Sequence, residues 1–240
     1  MFSIIEKQQS DKNIPLYLDA RIQNIPVKDT DEELVDIHKM KNKRIRMLPT
    51  PEIPLSSPET NAGFECSSFV RKSLYERLEA MIANIDILTS NTRNISILVY
   101  EGLRTLEVQN KLFETTMCEL KEQYSDLSNT ELHNLTSKYV CHPTNSPPHA
   151  SGGAVDIRLY DDSNMEFIDM GDFGFWNNNK QTHTFSVNLT ETQKSNRHLL
   201  LSAASISGLV NYPYEWWHFS YGDKYFCYYT GNPVSIYKDI

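Results

Sequence analysis

Two short stretches of the chain combine histidine with carboxylates at spacings that suit metal chemistry. In the first, His149 lies in a Pro- and Gly-rich stretch, and Asp156 follows seven residues later in an apolar run. In the second, Glu215 and His218 are three residues apart, so one can bind a metal while the other reaches the water on it. Three protein ligands and an open position are typical of catalytic zinc sites. The spacing therefore suggests a hydrolytic metal site.

Each of these residues alone is more typical of a structural role. A lone His149 would most often be a loop histidine, and a lone Asp156 a salt-bridged carboxylate. Glu215 and His218 alone would be a polar pair beside aromatic side chains. The apolar strand AVDIRLY (154–160) changes this balance, because burying Asp156 there is costly unless the carboxylate is paired or binds a cation. A bound metal would offset that cost.

Further motifs give these stretches a likeness to a known family. The string 149–156 (HASGGAVD) resembles the His-x-x-Gly-x-Ala-x-Asp signature of the D-alanyl-D-alanine dipeptidase family, the VanX type of zinc peptidases. The string 215–218 (EWWH) resembles that family's Glu-x-x-His. The resemblance extends over most of the chain, from about Pro26 to Phe226. It is carried by the segments 69–78, 98–104, 196–200 and 208–217.

The resemblance implies roles for five residues. His149, Asp156 and His218 would bind one zinc ion per chain. Glu215 would act as general base and then as general acid. Arg104 would stabilise the anion that develops on the scissile carbonyl oxygen, although an arginine after a strand more often forms a surface salt bridge.

The chain departs from the family where the substrate pocket is expected. Many members have Ser two residues before the first ligand, where this chain has Pro147. Leu103-Arg104-Thr105 replaces a Tyr-Arg-Pro turn, and Asp172–Asn177 differs from the usual Met-Gly-Thr-x-Phe-Asp pattern. These changes affect pocket shape more than metal chemistry, so they leave the choice of substrate open.

Length and composition limit the remaining classes of protein. With 240 residues, 40% hydrophobic and 22% charged, the chain is typical of one folded domain with a large core. A net charge of −8 disfavours nucleic acid and anionic membranes as partners. The opening residues lack the apolar run of a signal peptide, and no stretch has the about 20 apolar residues of a membrane helix. We therefore expect a cytoplasmic protein, with its oligomeric state left open.

The cysteines and the basic residues give no competing site. Cys66, Cys118, Cys141 and Cys227 are far apart and form no C-x-x-C pair, so we expect reduced thiols rather than a zinc ribbon or a redox motif. The basic stretch 39–46 lies in an acidic chain and is typical of a solvated face.

The hydrophobic patterns predict an α+β fold, in which a small, largely antiparallel sheet is flanked by helices in a single domain. The resemblance implies that this domain has a zinc-site cleft. Predicted strands cover 95–100, 154–160 and two runs within 217–229 around Gly222-Asp223. One predicted helix begins near Ser67 and is capped by Ser67 or Ser68. Three further helices are predicted over 107–122, 131–138 and 190–209. Residues 1 to about 65 are rich in proline and charge and predict an extended segment. Within it, 1–25 is assigned as an N-terminal extension whose order the sequence leaves open, and 26–240 as the dipeptidase domain.

The expected function is zinc-dependent hydrolysis of D-alanyl-D-alanine to two D-alanines, in bacterial peptidoglycan precursor metabolism or recycling. Two alternatives stay open. One is a D,D-carboxypeptidase or L,D-peptidase acting on longer wall peptides, which usually requires export. The other is a zinc-binding relative without catalysis, which the intact Glu215 disfavours because zinc can be held without it.

Overall fold

The computed structural model describes residues 2–11, 13–48, 66–138, 140–173 and 181–240. The helices are α1 (Phe2–Ser10), α2 (Ala20–Gln23), α3 (Lys72–Leu88), α4 (Leu106–Gln123), α5 (Asn129–Thr136), α6 (Glu191–Ile206) and α7 (Lys224–Thr230). The strands are β1 (Leu34–Asp36), β2 (Ile45–Met47), β3 (Phe69–Arg71), β4 (Ile95–Glu101), β5 (Ala154–Asp161), β6 (Glu166–Phe167), β7 (Val210–Tyr212) and β8 (Glu215–Ser220). Short 3-10 turns occur at Ile37–Lys39, Pro143–Asn145 and Pro148–Ser151.

Six of these strands form one mixed sheet. Its order is β2-β4-β5-β8-β7, and β6 also pairs with β5. The β2–β4 pair is parallel, and the other pairs in the sheet are antiparallel. A separate antiparallel pair joins β1 and β3. The predicted α+β fold with a largely antiparallel sheet flanked by helices is confirmed.

The alternation of side chains along β5 separates the core from the opposite face. Val155, Ile157 and Leu159 are fully buried in the main core, together with residues of α3 and α6. Each such side chain contributes roughly 1.5–3 kcal/mol when it leaves water, so this packing fixes how the sheet lies on the two helices. Because successive strand residues point to opposite faces, Asp156 and Arg158 face away from that core.

Most of the predicted elements are present. The strands expected at 95–100 and 154–160 are β4 and β5, and the helices expected at 107–122, 131–138 and 190–209 are α4, α5 and α6. Thr190 caps α6 by accepting a hydrogen bond from the Gln193 N–H, and Ser128 caps α5 in the same way. These elements carry their own capping residues, which explains why the local pattern predicts them.

The predicted start of the first long helix near Ser67 was wrong. Residues 69–71 form β3, which pairs with β1 through Val70 and Val35. The helix α3 begins only at Lys72, after Arg71, and no side chain caps it. The Arg71 side chain is buried and donates to the Ser151 carbonyl at 2.9 Å. These long-range contacts extend the backbone of residues that the apolar period alone assigns to a helix.

The two strands predicted within 217–229 were also wrong in part. Only the first is a strand, β8, and its hairpin partner is β7, which precedes it. After Gly222, Asp223 caps α7 by accepting the Phe226 N–H at 2.7 Å. Gly222 has a left-handed backbone with φ 73°, and a Cβ there would lie 2.5 Å from the Tyr237 ring. Glycine followed by aspartate therefore turns the chain into a helix rather than into a hairpin.

The first part of the chain is more regular than its composition predicts. It contains α1, α2, β1 and β2, whereas residues 49–65 of the predicted extended segment lie outside the described residues. The Gln8 amide donates to the Asn211 carbonyl at 2.8 Å, which joins α1 to β7. Helices this short depend on such contacts because they are marginal alone.

The remaining expectations concern thiols, charge and membranes. The four cysteines are free, as predicted. In the basic stretch, Arg44 pairs with Asp86 at 2.8 Å and Arg46 with Asp162 at 2.6 Å. Among the described helices, none has the length and apolar character to cross a membrane.

Candidate metal centre

Three buried side chains from separate parts of the chain meet on one face of the sheet. His149 lies in the turn Pro148–Ser151, Asp156 in β5 and His218 in β8. Asp156 and His218 are direct partners in the β5–β8 pair, so their side chains are neighbours. The turn that carries His149 ends at Gly152, two residues before β5 begins at Ala154. The structure thus brings together the three residues that the sequence nominates as metal ligands.

The distances in this group are short. The Asp156 Oδ1 atom lies 2.9 Å from His218 Nδ1 and 3.4 Å from His149 Nε2. The two imidazole nitrogens are 3.1 Å apart. One ligand atom from each residue lies within 4.8 Å of the others. Two imidazoles and a carboxylate at this separation are a donor set that suits zinc.

The orientation of His149 is fixed by the backbone of the loop after β4. Its Nδ1 donates a hydrogen bond to the Gly102 carbonyl at 2.7 Å. A neutral imidazole carries one proton, so this bond leaves the lone pair of Nε2 facing Asp156 and His218. Only glycine fits at position 102, because a Cβ there would overlap the Phe69 carbonyl. A lone pair aimed at another nitrogen and a carboxylate is favourable when a cation lies between them, so these residues fit a metal ion.

The charges around the ligands also fit a cation. Glu101, Asp156 and Glu215 are 3%, 5% and 8% exposed, and Arg104 faces these acids with a side chain that is 15% exposed. Three buried carboxyl groups against one guanidinium cannot all ionise without an excess of negative charge. Burying unpaired charge is costly, and a divalent ion would balance the excess.

Glu215 begins β8, three residues before His218. Its Oε2 atom lies 3.8 Å from the His218 Nδ1. Burial raises the pKa of Glu215 well above its usual range, the Asp156 carboxylate raises it further, and Arg104 offsets part of the rise. A buried carboxyl group with a raised pKa, beside a candidate ligand atom, has the properties of a general acid or base.

Burial favours the neutral form of both His149 and His218, but their net pKa shifts differ. It lowers the pKa of His218, and the hydrogen bond to Asp156 offsets only part of this. For His149, burial also opposes the charged form, but the Asp156 carboxylate outweighs it and raises the pKa. The neutral state of His218 is the form that binds a metal.

Arg104 is held beside this group rather than at the surface. Its Nε donates to Glu101 Oε1 at 2.7 Å, its Nη2 donates to Glu101 Oε2, and its Nη1 donates to Gln109 Oε1 at 2.9 Å. Its backbone N–H donates to the His149 carbonyl at 3.2 Å. Among the described residues these bonds use three of the five guanidinium N–H groups, and two remain for a bound anion.

Three further residues complete the site and were not predicted. Glu101 and Gln109 hold Arg104, and the Gln109 amide also donates to the Cys141 carbonyl at 2.6 Å. The Tyr17 hydroxyl lies 2.9 Å from the Nε2 atom of His218. Glu101 could have been found, because it is an acidic residue at the end of an apolar strand. No local pattern marks Tyr17.

The departures from the family motifs are partly explained by local structure. Thr105 replaces a proline and caps α4, where its side chain accepts the Val108 N–H at 3.4 Å. Leu103 is buried. Phe173 packs on Tyr100 with ring centroids 5.0 Å apart, next to the site. Residues 174–177 of the last departure lie outside the described residues.

The chain is similar to known proteins of one peptidase family. The model of the Peptidase_M15 family, described as D-ala-D-ala dipeptidase, matches residues 70–235. A D-alanyl-D-alanine dipeptidase of Synechocystis sp. is 25% identical over 230 residues, which cover 83% of this chain and 86% of that protein. The chain therefore belongs to the M15 peptidase family, a family of metallopeptidases.

Two solved structures are also similar to this chain. The LdcB LD-carboxypeptidase is 17% identical with a TM-score of 0.43, covering 84% of this chain and 72% of that one. VanYB, solved in complex with D-alanine-D-alanine, is 16% identical with a TM-score of 0.40, covering 68% of this chain and 78% of that one.

Proposed function

We propose that this protein is a zinc-dependent dipeptidase that hydrolyses D-alanyl-D-alanine to two D-alanines. The observation that carries the proposal is the convergence of His149, Asp156 and His218, with the Glu215 carboxylate 3.8 Å from a ligand atom. The family and the dipeptidase relative from Synechocystis support the substrate. The free dipeptide would belong to bacterial peptidoglycan precursor metabolism or recycling. Location in the cytoplasm stays a prediction that cell fractionation tests.

In this proposal His149, Asp156 and His218 hold the zinc ion. When bound, zinc lowers the pKa of a water ligand toward about 7 and polarises the scissile carbonyl. Glu215 accepts a proton from the attacking water and then donates it to the leaving amine as the C–N bond breaks. Arg104 donates hydrogen bonds to the carbonyl oxygen as negative charge develops on it.

The hydrogen bonds from Arg104 to Glu101 and Gln109 give its role at the carbonyl oxygen a physical basis. An arginine that rotates freely must be ordered in each catalytic cycle, whereas Arg104 is already fixed by Glu101 and Gln109. Donors that are oriented before the reaction stabilise a developing charge at no reorganisation cost. The positive charge of Arg104 is also retained, because Glu101 stabilises it in the buried site.

The testing experiment measures release of free D-alanine from D-Ala-D-Ala by the purified, zinc-loaded protein. A chelated sample and a tripeptide ending in D-Ala-D-Ala are run in parallel, with His218→Ala as the variant that lacks a ligand. We expect turnover of the dipeptide only, lost on chelation and absent in His218→Ala. Cleavage of the tripeptide would assign a wall carboxypeptidase instead. Zinc binding without turnover of either peptide would assign a binding protein.

A further inference from the structure

The Nε2 atom of His218 lies within hydrogen-bond distance of Tyr17, a residue near the start of the chain. His218 Nδ1 faces Asp156 and His149, whereas Nε2 lies 2.9 Å from the Tyr17 hydroxyl. The Ser220 hydroxyl also faces Nε2, at the longer distance of 3.5 Å. Tyr17 lies before the residues matched by the family model, 70–235, in the segment predicted as an extension.

The Tyr17 hydroxyl has a fixed position. Its ring stacks on Tyr212 with centroids 4.2 Å apart and packs edge-on against Tyr225 at 5.1 Å. Its carbonyl accepts a hydrogen bond from the Gln23 amide at 2.6 Å. The residue is 8% exposed. Packing on two sides and a backbone anchor leave the phenol little freedom to turn away from His218.

The proton on His218 decides what this contact does. A neutral imidazole carries one proton, so when Nδ1 binds a metal, the proton is on Nε2. A buried N–H needs an acceptor, and the Tyr17 oxygen, at 2.9 Å, lies closer to Nε2 than the Ser220 oxygen, at 3.5 Å. A second partner of this kind fixes both the tautomer and the ring orientation of a metal-binding histidine.

We propose that Tyr17 is a positioning residue for His218: it accepts the Nε2 proton and so holds the Nδ1 lone pair toward Asp156 and His149. The inference rests on the zinc site of the proposed function. It makes the N-terminal segment a part of the metal centre.

The test compares zinc affinity by competition with a chromophoric chelator. Tyr17→Phe removes the hydroxyl and keeps the ring, and we expect its zinc affinity to be about 10- to 100-fold weaker than that of the wild type. Tyr214→Phe is the matched control. Its hydroxyl donates to the Ile14 carbonyl at 3.1 Å, so its removal loosens the same segment without touching His218. Its affinity should stay at the wild-type value.

A second measurement needs no variant. In the zinc-loaded wild type, nitrogen-15 NMR of the imidazoles should show a proton on His218 Nε2 that exchanges slowly with solvent. An Nε2 without a proton would overturn the inference even if Tyr17→Phe failed to fold.

The other outcomes are also decisive. Equal zinc affinity in the wild type and Tyr17→Phe would overturn the role of Tyr17 while leaving the zinc site intact. Equal weakening in Tyr17→Phe and Tyr214→Phe would overturn it too, because the effect would then come from docking of the segment. A wild type that binds no zinc would instead overturn the proposed function, and this inference with it.

Discussion

Glu215 is a residue whose charge depends on its neighbours. Burial and Asp156 raise its pKa well above the usual range, so without a cation nearby it holds its proton at pH values where an ordinary glutamate is ionised. A divalent ion at the three ligands would oppose this shift and favour the carboxylate. The same ion that binds the attacking water would therefore also prepare the base.

The first prediction removes that base. We expect Glu215→Gln to keep its zinc content, because no ligand is lost, and to lower kcat for D-Ala-D-Ala by about 10²- to 10⁴-fold. The measurement pairs steady-state kinetics with metal analysis. The control is Glu191→Gln, an exposed glutamate at the start of α6, which should keep both values. Full activity in Glu215→Gln would remove the assigned base.

Arg104 allows a second prediction. Arg104→Ala would leave Glu101 buried without its cation, which is destabilising in itself, so Arg104→Lys is the cleaner variant. Lysine keeps the charge but lacks the planar fork that reaches Glu101 and Gln109 together. We expect kcat to fall by about 10²- to 10³-fold with a smaller change in KM.

The control for this prediction is Arg21→Lys, which changes an exposed arginine paired with Asp19 and should leave both constants unchanged. A change confined to KM in Arg104→Lys would show that Arg104 binds the ground state and not the developing anion.

The site residues differ in how far the sequence reveals them. His149, Asp156, Glu215 and His218 stand in short motifs, so their spacing can be read along the chain. Glu101 is marked in the sequence by its place at the end of an apolar strand, but its function becomes clear only when the role of Arg104, three residues away, is known. Tyr17 is 201 residues from His218, and its role depends on how the N-terminal segment folds back. Contacts over such distances leave no trace in local spacing.

At the scale of elements, prediction succeeds where a segment carries its own signals. The helix α6 has a capping box at Thr190 and Gln193, and β4 is a compact β-branched run. Prediction fails where contacts with distant segments decide the structure. Residues 69–71 continue the apolar period of α3 but form β3 because β1 offers backbone pairing. The strand predicted after Asp223 is α7, because an aspartate after glycine caps a helix as readily as it closes a turn.

Asp223, the residue that caps α7, has a raised pKa, and this gives a third prediction. Asp223 is 4% exposed, and burial raises its pKa from 3.8 to about 6. The folded protein therefore binds this proton more tightly than the unfolded chain does. The resulting stabilisation is complete below about pH 4 and is lost as pH rises through 6. Asp223→Asn keeps a capping side chain and cannot ionise, so its Tm relative to the wild type should rise between pH 4 and 7 in chelated protein.

Asp19 provides a control with the opposite sign. It caps α2, and its hydrogen bond with Arg21 lowers its pKa from 3.8. Its stabilisation is present above about pH 4 and is lost on acidification. Asp19→Asn should therefore lose Tm relative to the wild type as pH rises from 3 to 6. Thermal unfolding of Asp223→Asn from pH 4 to 7 and of Asp19→Asn from pH 3 to 6 measures both Tm differences from the wild type. If both differences changed in the same direction with pH, the raised pKa assigned to Asp223 would be contradicted.

On the scale of the whole molecule, the candidate metal site joins segments that are far apart in the sequence. The N-terminal segment reaches it through Tyr17, the loop after β4 through Gly102 and Arg104, and the sheet through Asp156 and His218. The unfolded chain does not hold these groups together. Zinc should therefore bind the folded protein in preference, and binding free energy becomes folding free energy.

The last prediction follows from this linkage. Free zinc at 100 times its Kd stabilises the folded state by about 2.7 kcal/mol, which for a chain of 240 residues raises Tm by about 5–10 °C. Differential scanning fluorimetry of chelated protein with added zinc measures the shift. His218→Ala should show little shift because a ligand is missing, whereas Cys118→Ser, which removes an exposed thiol, should show the full shift. A shift that survives in His218→Ala and disappears in Cys118→Ser would place the stabilising zinc away from the sheet.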